Sequence, residues 1–322
     1  LMKNINSRFP KSKCKLSYLC TVLVFFAFMG SFRGVLYALI SSTTFGLVPF
    51  FSIALLGSGM SAATVLFYRM GVAALLIGLV AAAQRKSFVI TAREFVIIVG
   101  LGWLYAGTSL GLILSYSLIP SGIATTIHFL YPILVTFLMI VFFREKRSAG
   151  LVVAAVVSLL GVGLLSWSGG AVVNVEGIML VLITVITYAL YIVGVNKTGV
   201  GRIDSLPLTF YILLSAAVLF AMFAGLTTGI GPIRSWYQAV NVLLIALVPT
   251  VISNLTLILA VKNVGSTVTA ILGSMEPVTA VLVGIFHFGE PFNLQYASGL
   301  MLILASVCLV IWSNNRRHRI DR

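Results

Sequence analysis

Apolar runs of about 20 residues recur along the whole 322-residue chain, parted only by short interruptions of Gly, Pro, Ser and charge. A helix of that length crosses the roughly 30 Å hydrocarbon core of a bilayer, where every backbone N–H and C=O must find its partner within the segment. The pattern predicts an all-α integral membrane protein. Charged residues make up only 9% of the chain, against about 25% in soluble domains, too few to cover a water-facing surface. A soluble enzyme and a disordered chain are excluded on that ground. Cys14, Cys20 and Cys308 have neither paired nor Cys-x-x-Cys spacing, so no disulfide framework or thiol metal site is indicated, and no cofactor is expected.

Ten candidate spans follow from the punctuation: 34 to 56, 62 to 83, 94 to 117, 121 to 143, 150 to 167, 177 to 195, 205 to 226, 239 to 260, 266 to 287 and 294 to 313. The formal net charge is +14. A nucleic-acid binder would gather that charge into a patch on a solvated domain, whereas here Lys and Arg sit in the gaps between spans. With both termini in the cytoplasm, the inner side receives Arg33, Arg85, Lys86, Arg93, Arg144, Lys146, Arg147, Lys197, Arg202, Lys262 and the tail arginines, and the outer loops keep only Arg234. That is the positive-inside bias of a multi-pass protein, most naturally of a bacterial cytoplasmic membrane. Residues 1–33 form a basic and apolar arm. Its stretch Leu16–Met29 is short for a span, and residues 1–28 read as a non-native upstream extension or an interfacial arm. Residues 314–322 read as a basic tail on the cytoplasmic side.

The chain also repeats itself. At a shift of 143 residues, Gly34 to Phe45 lies on Gly177 to Tyr188, and Phe67-Tyr68 lies on Phe210-Tyr211. At a shift of 145, Leu112-Ile113-Leu114 lies on Leu257-Ile258-Leu259, Ser121 on Ser266, Pro132 on Pro277 and Glu145 on Glu290. Residues 34–167 and 177–313 are thus expected to be two five-helix copies. A unit with an odd number of spans places its second copy upside down, so the halves are expected to be inverted repeats, the architecture of alternating-access carriers. No filter-type loop or charged ring suggests a channel.

Two five-helix halves, each with Pro, then Glu thirteen residues on, then a Gly-led last helix (Pro132, Glu145, Gly150; Pro277, Glu290, Gly299), resemble the EamA-type branch of the drug/metabolite transporter superfamily. Gly34, Ala38, Leu39 and the Phe45-Gly46 pair fit as well, with Phe45 where that family more often has Trp. The resemblance implies ten helices, a central cavity lined by helices one to four and six to nine, peripheral fifth and tenth helices, and export or uptake of small metabolites.

An ionisable side chain at mid-membrane costs about 2.5–3.5 kcal/mol on insertion scales and so needs a partner or a task. Glu276, beside Pro277, is a candidate for proton coupling or for a substrate amine, with a structural carboxyl at a helix break as the alternative. His128 is a candidate proton relay or carboxylate partner, or else a satisfied core histidine. Arg69 is a candidate for a substrate carboxylate, or it pairs with Glu276, or it snorkels. Trp103, Tyr105, Thr108, Ser109, Tyr131, Tyr188, Tyr191, Ser253 and Asn254 are cavity-lining candidates, each with helix packing as the plainer role. Pro132 and Pro277 are expected to break their helices, and Glu145 and Glu290 to act in gating or structure at the membrane edges. The function expected is a non-enzymatic permease or exporter for amino acids or similar metabolites, with protons as one coupling partner. An integral-membrane enzyme and a membrane scaffold are the alternatives. The oligomeric state is open.

Overall fold

The structure, a computed structural model, describes residues 32–119, 121–145, 149–165, 174–227, 229–288 and 294–320. The N-terminal arm up to residue 31 lies outside them. The described residues are helical with no strand: α1 (residues 32–45), α2 (Val48–Gly57), α3 (Ala62–Ala83), α4 (Ala92–Ser115), α5 (Ser121–His128), α6 (Tyr131–Val141), α7 (Ala149–Leu165), α8 (Val175–Lys197), α9 (Ser205–Leu226), α10 (Trp236–Ala246), α11 (Ser253–Leu272), α12 (Met275–Phe288) and α13 (Leu294–Ile320). A 3-10 turn at Val200–Arg202 precedes α9, and a π turn at Leu247–Ile252 joins α10 to α11.

Local chemistry sets the helix ends. Ser61, Asn174, Asp204 and Ser235 each accept a hydrogen bond from a first-turn backbone N–H of the helix they precede, and Thr91 with Glu94 forms a reciprocal capping box at α4. Six helical runs among the described residues are long and apolar enough to cross a membrane: Phe32–Gly57, Ala62–Ala83, Ala92–Ser115, Val175–Lys197, Ser205–Leu226 and Trp236–Leu272. Tyr131–Val141, Ala149–Leu164 and Ala297–Val310 are shorter apolar helices. The expected span at 121 to 143 is divided because α5 ends at His128 and α6 starts at Tyr131. The run Trp236–Leu272 is longer than one crossing requires, and Gly265, at φ +80°, turns the chain within it. The last helix runs on through Ile320, so the sequence expected to be a tail continues α13.

α3 packs along α9, α4 along α8 and α9, and α13 along α7. Small residues bring these axes together: Ala73, Ala74, Ala216 and Ala217 are buried, and Gly161 on α7 leaves no room for a methyl group against the Gly299 carbonyl on α13. The bundle is tied at both ends. At one, Lys86 pairs with Asp204 at 2.7 Å, Tyr211 donates to the Phe88 carbonyl and Lys262 donates to the Ile203 carbonyl. At the other, Tyr68 donates to the Gly231 carbonyl at 3.0 Å and Gln238 donates to Ser58. The first end carries the basic loops; Arg234 belongs to the second.

Candidate functional site

Three helix breaks meet in the middle of the molecule. The chain leaves α1 through Gly46-Leu47 and restarts at α2 with Pro49 in its first turn; it restarts at α6 with Pro132 and at α12 with Pro277. A proline's fixed φ and missing N–H suit the first turn of a helix, so each proline here opens a half-helix rather than bending a continuous one. Gly46 lies so close to α12 that a Cβ on it would stand 2.5 Å from the Glu276 carbonyl oxygen, and the Tyr131 hydroxyl occupies the space a side chain on Gly273 would need.

Around this junction the aromatic residues close into a cluster. Phe45 stacks on Tyr188 (centroids 6.0 Å, planes 14° apart), Tyr188 meets Tyr131 edge-on at 4.7 Å, and His128 lies 5.3 Å from each tyrosine ring. The Tyr131 hydroxyl donates to Glu276 Oε1 at 3.4 Å. Thr184 Oγ1 donates to the Val181 carbonyl at 2.6 Å, so at 2.8 Å from His128 Nδ1 it accepts the Nδ1 proton. That leaves Nε2 as a lone-pair acceptor, and it has no hydrogen-bond partner among the described residues although His128 is only 2% exposed. Glu276 (6% exposed) and His128 line one cavity with Phe45, Gly46, Tyr116 and Thr125. At about 20 Å³ it holds roughly one water-sized sphere. A carboxyl group and an imidazole line one space, and both side chains can take up or release a proton.

Phe45 connects this cluster to a second one. The Arg69 guanidinium sits 5.9 Å from the Phe45 ring centroid, and the residue is 1% exposed. Arg69 Nε donates to Thr250 Oγ1 at 2.8 Å and its terminal nitrogen donates to the Tyr105 hydroxyl at 3.3 Å. Asn254 Nδ2 donates to the same hydroxyl at 2.7 Å, while Asn254 Oδ1 and the Tyr191 hydroxyl are buried without a partner among the described residues. Thr250 belongs to the π turn, whose wider winding lets its hydroxyl reach the Ile245 carbonyl at 2.7 Å while accepting from Arg69. The alternatives of an Arg69–Glu276 pair and of a snorkelling arginine are both set aside. The guanidinium is enclosed by neutral hydroxyls and an aromatic face, and Glu276 is held by Tyr131.

The structure thus brings Glu276, His128, Tyr131 and Tyr188 into one cluster and Arg69, Tyr105 and Asn254 into its neighbour. Thr108 stands apart: its hydroxyl meets Thr187 Oγ1 at 2.7 Å and ties α4 to α8. Ser253 likewise bonds Ser41 on α1. Trp103 is 52% exposed on the outer face of α4, away from both clusters. Glu145 Oε2 accepts from Thr267 at 3.1 Å, fastening the end of α6 to α11. Glu290 lies outside the described residues. Sequence reasoning did not single out Thr184 and Thr250, the hydroxyls that hydrogen-bond His128 and Arg69, because one threonine in an apolar run looks like any other. Phe45 was open to detection, since the 143-residue shift lays it on Tyr188, the ring it stacks against.

The repeat register has a second counterpart in space. Tyr131 and Glu276 are 145 positions apart and share a hydrogen bond. Both pairs of repeat mates, Phe45 with Tyr188 and Tyr131 with Glu276, therefore touch at the junction of the breaks.

A solved crystal structure of a protein 16% identical in sequence superposes with a TM-score of 0.72, over 90% of this chain and 98% of that one, which is a likeness of fold. An uncharacterized transporter, YvbV, of Bacillus subtilis (strain 168) is 25% identical over 195 residues, which are 60% of this chain and 63% of that protein. An uncharacterized transporter of Archaeoglobus fulgidus is 31% identical over 137 residues, 42% of this chain and 47% of that one. The chain spans less than two thirds of the length of these curated relatives. The model of the EamA-like transporter family matches residues 32–167 and again residues 175–312, and the chain belongs to that family of multi-pass membrane proteins.

Proposed function

We propose that the protein is a secondary carrier that moves amino acids or similar small metabolites across the cytoplasmic membrane by alternating access. Its working parts are two inverted five-helix halves, 34–167 and 177–313, making ten crossings with both termini in the cytoplasm. The contact of repeat mates at the helix breaks carries this reading. In an inverted repeat the two copies exchange shapes when access changes sides, and repeat mates that touch lie at the pseudo-axis about which that exchange is made. The double family match and the transporter relatives support the same conclusion, and they favour transport over enzymatic chemistry.

Substrate roles follow from the two clusters. Glu276 and His128 suit an ammonium group or a coupled proton, and the Arg69 guanidinium suits a carboxylate. Phe45, Tyr188 and Tyr131 offer apolar faces beside them. The cavity at this junction is far smaller than the roughly 300–1,000 Å³ of metabolite sites. Loading therefore requires the half-helices α2, α6 and α12 to part, and their breaks are where the chain hinges.

Purified protein in liposomes is expected to exchange labelled amino acids in a counterflow assay, and Glu276→Gln to flatten the dependence of that flux on pH. Unchanged pH dependence in the variant removes the coupling role of Glu276. A screen of amino acids, nucleosides and sugars that yields no flux overturns the carrier reading.

A further inference from the structure

At the basic end of the bundle a second cavity, about 330 Å³ in volume, opens between the end of α8, the turn before α9 and the last turns of α11 before Gly265. It is more than ten times the volume of the central one and is separate from it. Asn196, Arg202 and Lys262 supply its polar lining, and Gly199 and Gly201 leave the turn side of the wall without side chains. We infer that this cavity is a binding site for a phosphate-type anion, either the headgroup phosphate of an acidic phospholipid or a free phosphate group.

The local charge balance supports this. Asp204, the acid next to the cavity's rim in sequence, is already engaged by Lys86 at 2.7 Å. Arg202 is exposed and makes no ion pair among the described residues. Lys262 spends one donor on the Ile203 carbonyl, which pins its ammonium at the cavity and leaves two of its three donors to use. Lys197, on the last turn of α8, is held 5.5 Å from the Phe143 ring and stays out of the lining. What remains is two cations and one side-chain amide facing a single polar space. An arginine fork and a neighbouring ammonium match tetrahedral oxyanions, and basic pockets between membrane helices are where phosphorylated headgroups lodge. Two cations border one hollow, and the acid that also attracts Lys262, Asp204, is shared with Lys86, so an anion seated between them adds compensation that the protein supplies only in part. An anion seated there would clamp the α8–α9 turn to α11.

The test uses the full chain in phosphatidylcholine nanodiscs and follows the thermal unfolding midpoint. The additions are inorganic phosphate, with chloride at matched ionic strength as control, and, separately, phosphatidylglycerol in the disc. A rise in the midpoint with phosphatidylglycerol alone identifies a lipid headgroup, and a rise with phosphate identifies a soluble anion; either supports the site. Arg202→Gln, at an exposed position that folding does not depend on, is expected to weaken the response about tenfold, as the loss of one charge-assisted hydrogen bond does. Lys262→Gln is expected to act similarly, with Lys262→Arg restoring the response. Arg85→Gln, a loop cation outside the cavity, is expected to leave it intact. No response in the unaltered protein, or an equal loss in Arg85→Gln, overturns the proposal. The readout is binding, so its failure is distinct from a failure of the carrier reading.

Discussion

Arg69 shows how a single residue can be buried against its own electrostatic interest. Its guanidinium is buried with two hydroxyls and an aromatic face and has no carboxylate partner among the described residues, an arrangement that leaves a full charge poorly compensated. Thr250 and Tyr105 do not depend on it, because Thr250 keeps the Ile245 carbonyl and Tyr105 keeps Asn254. Arg69→Met is therefore expected to leave the thermal midpoint unchanged or higher. It should also slow transport of carboxylate-bearing substrates by at least about tenfold, the cost of one such contact. A fall of stability together with unaltered substrate selectivity would make Arg69 a packing residue. The candidate residues were legible in the sequence as rare polar groups in apolar runs, but their partners were not. Nothing about Arg69 or Glu276 in the linear chain says that one meets Thr250 and the other Tyr131.

Helices carry the next level of design, and their ends matter more than their middles. The Lys86–Asp204 pair joins the loop after α3 to the N-cap of α9, so one contact holds together the two helices with the longest shared interface. The hydrogen bond from Lys86 holds the Asp204 carboxyl below the usual carboxylate range. A depressed carboxyl contributes stability that is fully present above its unfolded value, near 3.8, and is lost as pH falls through the folded one. Asp204→Asn is thus expected to lower the midpoint slightly at neutral pH, by under about 1 kcal/mol for so exposed a pair. The difference from the unaltered protein should close as pH falls below 3.8 and through the lower folded value. Thermal melts of the two proteins across that range decide it, and a difference that persists in acid would assign the effect to the N-cap alone. Span positions were readable to within a few residues, as Ala62–Ala83 and Ser205–Leu226 illustrate, because lipid imposes length and apolarity directly. The division of 121 to 143 into α5 and α6, the Gly46-Leu47 break and the π turn were less so. Pro132 and Pro277 mark a break, but Gly46 breaks α1 because α12 presses against it, and that is a contact between distant segments.

For the molecule as a whole, the charge bias predicts which end faces the cytoplasm, and the structure gathers the relevant loops so that one measurement can read them. In a background lacking Cys14, Cys20 and Cys308, Arg234→Cys is expected to react with a membrane-impermeant maleimide added outside intact cells, and Arg85→Cys only after the membrane is opened. The reverse pattern would invert the orientation. The all-helical class and the positions of the apolar runs were determined by the sequence alone, since hydrocarbon thickness acts on each segment separately. Which faces of the helices turn inward was decided only by tertiary structure. Lipid is as apolar as the protein interior, so a membrane helix shows little amphipathic signal, and packing rather than water exclusion chooses its partner. Trp103 at the surface, Arg69 away from Glu276 and the meeting of Tyr131 with Glu276 all depend on that choice.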